Sequence, residues 1–108
     1  MIFVDSSAWF AVYSRRDANN ASALQTLQSL REELITSDFV IDETLTLLQM
    51  RDQHRHAVAF GRRLIEGDAA RIIKIDEADF HAAWAMFQKY HDKEWSFTDC
   101  TSFVVITR

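Results

Sequence analysis

Three carboxylates in this sequence keep company that ordinary surface acids do not. Asp5 closes the apolar run Ile2-Phe3-Val4 and is followed at once by Ser6 and Ser7. Glu43 lies within Phe39-Val40-Ile41-Asp42-Glu43-Thr44-Leu45, and on a helix its neighbours three and four residues away are Phe39, Val40, Thr46 and Leu47. Asp99 stands between Trp95, Phe97, Phe103 and Val104. An ionised carboxylate against apolar side chains is costly unless a cation or strong donors meet it. Acids gathered in such surroundings suit Mg²⁺ or Mn²⁺, which prefer oxygen ligands. Each acid also has a plain structural reading. Asp5 and Asp99 suit helix N-caps, and Glu43 suits an ion pair or a side chain reaching out at a helix edge.

Bringing these acids together requires particular elements. Ile2-Phe3-Val4 reads as a short buried strand, and Asp5-Ser6-Ser7 as the cap of a helix carrying Trp9, Phe10, Val12 and Tyr13. A second helix is predicted from near Asn19-Asn20, with Ala23, Leu24, Leu27, Leu30 and Leu34 on one face. Leu34-Ile35-Thr36 also suits a second strand. Asp38 opens a third helix to about Arg51, apolar on most sides and so expected to be mostly buried. A fourth runs from about Arg55 to Glu66 and stops at Gly67. Arg71-Ile72-Ile73-Lys74-Ile75 reads as another strand, and Asp76 caps a fifth helix whose stripe of Phe80, Trp84 and Phe87 is expected to pack inside. Asp99 to Thr107 fits helix or strand equally. Strands alternating with helices predict an α/β domain with a mostly parallel sheet, and such sheets bind ligands beyond the carboxyl ends of their strands. Asp5 falls at such an end.

Composition narrows the chemistry. The chain of 108 residues is one domain's worth, and 12 basic against 16 acidic residues give a net charge of -4. Bulk charge therefore does not draw the protein to nucleic acid or anionic lipid, and any basic surface must be local. Arg51, Arg55, Arg62 and Arg63 are its candidates for phosphate contact, against the alternative of a solvated helix face. There are 2 glycines and no proline, where average usage gives about seven and five. Two glycines cannot build a phosphate-cradling loop, which excludes Walker and Rossmann fingerprints. One cysteine excludes an internal disulfide and a cysteine-based zinc cluster. Nothing reads as a signal peptide or a membrane span, so a cytoplasmic setting is expected. His54 and His56 point to different sides of a helix, His81 and His91 lack partners at ligand spacing, and Cys100 suits the core better than a nucleophile's role.

Taken in order, three blocks resemble the PIN-domain ribonucleases of the VapC toxin type. They are Ile2-Phe3-Val4-Asp5-Ser6-Ser7-Ala8-Trp9, Ser37-Asp38-Phe39-Val40-Ile41-Asp42-Glu43-Thr44-Leu45 and Ser96-Phe97-Thr98-Asp99-Cys100-Thr101-Ser102-Phe103. The likeness covers essentially the whole chain. It implies a single PIN domain over residues 1–108, with three layers in which helices flank a central, mostly parallel sheet. It implies that Asp5, Glu43 and Asp99 are catalytic and bind Mg²⁺ or Mn²⁺, with the hydroxyls of Ser6 and Thr98 supporting them by hydrogen bonds. The implied activity is metal-dependent endoribonucleolytic cleavage of structured RNA of the tRNA or rRNA class, leaving a 3′-hydroxyl and a 5′-phosphate. Expected partners are a VapB-like antitoxin and a second copy in a homodimer, with exposed Trp9 or Tyr13 contributing, and no membrane. The family carries a fourth acid on a strand after the segment that Asp99 opens, and the sequence ends at Arg108 before it. The competing reading is a shortened PIN-like domain that binds RNA or a protein without cutting. A small receiver domain, which also has acids after its first strand, expects a strand-end lysine and a central phosphorylatable Asp that this order does not supply.

Overall fold

The structure, a computed structural model, describes all residues from Met1 to Arg108. Three short strands form one parallel sheet in the order β1-β2-β3: β1 (Ile2–Phe3), β2 (Leu34–Ser37) and β3 (Arg71–Ile73). Ile2 pairs with Leu34 and Phe3 with Ile35, while Thr36 and Ser37 pair with Ile72 and Ile73. Parallel pairing demands long crossovers, and the helices supply them. These are α1 (Ser6–Tyr13), α2 (Asn20–Ser29), α3 (Asp38–Met50), α4 (His54–Gly61), α5 (Glu77–Lys89) and α6 (Phe97–Thr107). Between α4 and β3 comes a π-helical turn, Arg62–Glu66. None of the helices is long and apolar enough to cross a membrane.

Side chains alternate along β2, so the sheet is covered on both faces. Ile35, with Phe3 and Ile73, borders a cavity closed by Val105 and Ile106 of α6. Leu34 borders another with Trp9 of α1 and with Leu27 and Leu30 at the end of α2. The core between α1, α3 and α4 is built on Trp9, Val40, Leu48, Phe60 and Leu64, all fully buried. The Phe60 ring lies 5.6 Å from Trp9 and 5.2 Å from Tyr13. One buried hydroxyl ties three elements together. Thr36 Oγ1 accepts from Trp9 Nε1 at 3.2 Å and donates to the Val4 carbonyl at 2.9 Å.

Each helix that opens near the sheet's carboxyl end is capped. Ser37 Oγ accepts from Val40 N at the start of α3, and Asp76 and Asp79 form a reciprocal box at the start of α5. Asp38 does something its sequence position did not announce. Its Oδ1 accepts from Phe39 N at 3.0 Å and from Ile75 N at 3.1 Å, joining the end of β2 to the chain leaving β3. At the same end of α5, Arg108 donates to both carboxylate oxygens of the buried Asp79, at 2.9 and 2.8 Å, and so fastens the end of α6 to the start of α5.

The structure corrects several expectations. The fourth helix is not one α-helix: it begins at His54 and widens to π geometry at Arg62. It does stop at Gly67, where a Cβ would stand 2.9 Å from the Arg63 carbonyl oxygen. The last segment is a helix, α6. Helix α3 is buried along one side only, through Val40, Ile41, Thr44 and Leu48, and Met50 is exposed. Trp9 is not an exposed aromatic; it is 1% exposed. The reverse error concerns α5, where Phe80, Trp84 and Phe87 are 46%, 48% and 41% exposed. Asp79 and the small Ala83 turn inward instead, which moves the aromatic stripe onto the flank.

Candidate functional site

Asp5 is the N-cap of α1, where the chain leaves β1 in an extended conformation. Its Oδ1 accepts from Ala8 N at 3.0 Å and from Ser7 Oγ at 3.0 Å. The next residue, Ser6, is buried and donates from Oγ to Glu43 Oε1 at 3.0 Å. That bond fixes the second turn of α3 against the first turn of α1. Glu43 is half-buried, as its apolar flanks imply. Asp99 arrives on α6, where it completes a capping box: its Oδ2 accepts from Ser96 N at 2.9 Å and its own N–H donates to Ser96 Oγ at 3.0 Å. The first ring of α6, Phe97, lies 6.2 Å from Phe39, one turn before Glu43. The start of α6 therefore meets the first half of α3.

The three acids share a pattern. In each, one carboxylate oxygen is anchored by donors of the chain and the other has no protein partner. None of the three takes part in an ion pair; the salt bridges engage Glu32, Glu33, Asp76, Glu77 and Asp79 instead. Each of the three thus keeps a carboxylate oxygen with neither a donor nor a basic side chain against it, and carboxylate oxygens are the ligands hard divalent cations prefer. The structure does not gather them: no group of three or more His, Cys, Asp or Glu side chains stands close enough together to hold a metal ion.

The supporting hydroxyls differ. Ser6 makes the hydrogen bond described, whereas the Thr98 side chain makes none to an acid and only its carbonyl accepts, from Thr101 Oγ1 at 2.7 Å. Arg51 and Arg55 stand elsewhere, at the end of α3 and the start of α4, both exposed. Eight residues of helix separate Arg51 from Glu43, roughly 12 Å of axis. Cys100 is fully buried, and its thiol is pushed above its ordinary range by that burial, with the neighbouring Asp99 charge adding to it. A thiol held protonated is no nucleophile. Two features escaped the sequence reading. The role of Asp38 depends on a partner, Ile75, that only the sheet brings near. The pairing of Ser14 with Gln53 joins residues 39 positions apart at 2.9 Å, and no local pattern announces it.

Comparison with known proteins bears on the family and the fold. Residues 2–106 match the PIN domain family. The chain belongs to that family. This PIN domain is 34% identical over 111 aligned positions to the 23S rRNA-specific endonuclease VapC20 of Mycobacterium tuberculosis, in two strains, with 100% of this chain and 82% of the relative covered. It is also similar to the crystal structure of Mycobacterium tuberculosis VapC20, described as a sarcin-ricin loop cleaving toxin. The TM-score is 0.91 at 33% identity, over 99% of this chain and 82% of that one. Similarity of that extent makes it a PIN domain of the VapC type in both sequence and fold.

Proposed function

We propose that this PIN domain is a metal-dependent endoribonuclease, the toxin of a VapBC-type pair, acting on structured RNA of the rRNA or tRNA class. The observation that carries the reading is the Ser6–Glu43 hydrogen bond beside Asp5, in a set of carboxylates with free oxygens and no basic partner. The free oxygens of Asp5, Glu43 and Asp99 are the ones that would hold Mg²⁺ or Mn²⁺. A bound divalent cation supplies acidified water and offsets charge developing on a phosphodiester. The chain's own part is positional. Ser6 orients the Glu43 carboxylate, the amide of Ala8 and the hydroxyl of Ser7 orient Asp5, and the Ser96 amide orients Asp99. Thr98 borders Asp99 with a hydroxyl left free to bind water or phosphate.

The partners follow from the same reading. The 23S rRNA specificity and sarcin-ricin loop cleavage named for the VapC20 relatives favour an rRNA stem-loop as substrate. A VapB-like antitoxin would cover the acids with a basic side chain. A homodimer would use the exposed Phe80, Trp84 and Phe87 of α5, since Trp9 is buried. A cytoplasmic setting accords with an RNA substrate. The test is cleavage of an rRNA stem-loop with Mg²⁺ or Mn²⁺. Cutting that leaves a 3′-hydroxyl and 5′-phosphate, stops with EDTA and is lost in Asp5→Ala and Asp99→Asn supports the nuclease. Binding of the stem-loop without cutting at saturating metal supports a binding module instead.

A further inference from the structure

Away from the acids, the far ends of α1 and α3 enclose a polar cavity of about 400 Å³ with the start of α4. Its walls include Phe10, Ser14, Arg16, Arg51 and Gln53. Gln53 is 5% exposed and its Oε1 is buried with no hydrogen-bond partner. A buried amide oxygen left unpaired costs about 1–3 kcal/mol, so a side chain held this way is poised for a ligand that pairs with it. The one bond it makes, Nε2 to Ser14 Oγ at 2.9 Å, stands in either orientation of the amide because a hydroxyl both donates and accepts. One amide atom is left over whichever way the group turns.

The position is fixed by the backbone. The turn from α3 to α4 passes through a left-handed Asp52 with φ 57°, and Gln53 N donates to Leu48 O at 2.9 Å. The two arginines are fixed as well. Arg16 Nη1 donates to the Arg51 carbonyl at 3.1 Å, and the Arg51 guanidinium sits 5.2 Å over the centre of the Phe10 ring. Phe10 and the Arg51 guanidinium thus give the wall planar surfaces against which another ring can stack. Asp17 and Asp52 also border the cavity and offset the arginines. That balance disfavours a multiply charged anion and favours a neutral, planar group bearing both donors and acceptors.

We infer that this cavity receives an unpaired nucleobase of the RNA and that Gln53 reads its hydrogen-bonding edge. The inference rests on the ribonuclease reading and makes Gln53 a specificity residue for it. Sequence-specific RNA recognition targets splayed-out bases, stacked on aromatic or arginine planes and read through their edges. The cavity lies roughly 12 Å along α3 from Glu43, so the base read is one flanking the cut and not the nucleotide that is cut.

The test uses the full chain, ¹⁵N-labelled and held in EDTA so that the carboxylates are silent, titrated with the uncharged nucleosides adenosine, cytidine, guanosine and uridine in turn. One of the four moves the Gln53 side-chain amide and the backbone signals of Ser14 and Arg51, and binds roughly tenfold tighter than the weakest. Gln53→Met keeps length and packing and should bring the preference below about twofold. Gln53→Glu keeps the shape but only accepts, and shifts the preference toward cytidine, whose N4 amine donates. No response at Gln53 to any of the four, or a wild-type preference retained by both variants, overturns the inference. Asp5→Asn separates the two readings. It should abolish metal-dependent cutting while leaving the base preference in EDTA unchanged. Cutting without any base preference leaves the nuclease standing and removes the pocket's role.

Discussion

Ser6→Ala is the most informative single change, because it removes one hydroxyl and leaves every carboxylate in place. Ser6 is buried, and its donor meets a charged acceptor, Glu43 Oε1, at 3.0 Å. Hydrogen bonds to charged groups contribute about 1.5–3 kcal/mol. Glu43 is half-exposed, so water replaces part of what is lost, and about 1.5 kcal/mol of stability should go. Activity should fall further than that implies. A group that orients a metal ligand typically costs ten- to a hundredfold when removed. Glu43→Ala removes the oxygen that Ser6 donates to, so the two changes form a cycle. If Ser6 acts through Glu43, Ser6→Ala costs little once Glu43→Ala is present. The coupling, read from urea midpoints and from RNA cleavage rates, should exceed about 1 kcal/mol, against the 0.3–0.5 kcal/mol scatter of independent sites. Additive losses would show that the hydrogen bond does not position the acid.

Thr36→Val leaves the buried Trp9 indole N–H and the Val4 carbonyl without their shared partner, and urea unfolding should show a loss of about 2–4 kcal/mol, mostly restored in Thr36→Ser. Cys100 gives a pH signature. Its thiol ordinarily ionises near 9.0 and is raised in the folded chain, so its contribution is complete below 9.0 and is lost as pH climbs from there through the folded value. The urea midpoint should fall over that window and the fall should shrink in Cys100→Ala, with a further decline from 10.0 upward as Tyr13, raised mainly by burial and lowered in part by Arg63, follows the same sign. Trp84→Glu places a charge in the exposed aromatic ridge of α5, and sedimentation should show the proposed homodimer of the wild type giving way to monomer while the melting midpoint changes little; a monomeric wild type would refute the dimer, and a dimer unchanged by the substitution would place its interface elsewhere.

The sheet and its capped helices were legible because their signals are local. Apolar runs end at Asp5, Ser37 and Asp76, and each is followed by residues that pay no penalty at a helix N-terminus. Asp5, Glu43 and Asp99 stood out as candidates for another reason: apolar neighbours make a carboxylate conspicuous. What the sequence could not settle depended on which face met which neighbour. Phe80, Trp84 and Phe87 have helical spacing, but so do Asp79 and Ala83 beside them, and the packing of α6 together with the Arg108–Asp79 pair selected the smaller stripe for burial. Trp9 was misjudged because an isolated aromatic beside a polar cap gives no sign of the Thr36 hydroxyl awaiting its indole N–H. The Ser14–Gln53 pair was invisible for the same reason, being a contact between helix ends far apart in the chain.

The central claim is that acids from three separate segments act as one divalent-metal site. Calorimetric titration of the full chain with Mn²⁺ tests it without reference to turnover. Binding to the wild type should weaken at least about tenfold in each of Asp5→Asn, Glu43→Gln and Asp99→Asn. Asp42→Asn, an exposed acid adjacent to Glu43, should bind as the wild type does. Mn²⁺ binding that is indifferent to all three site variants, or that is lost equally in Asp42→Asn, would contradict the account.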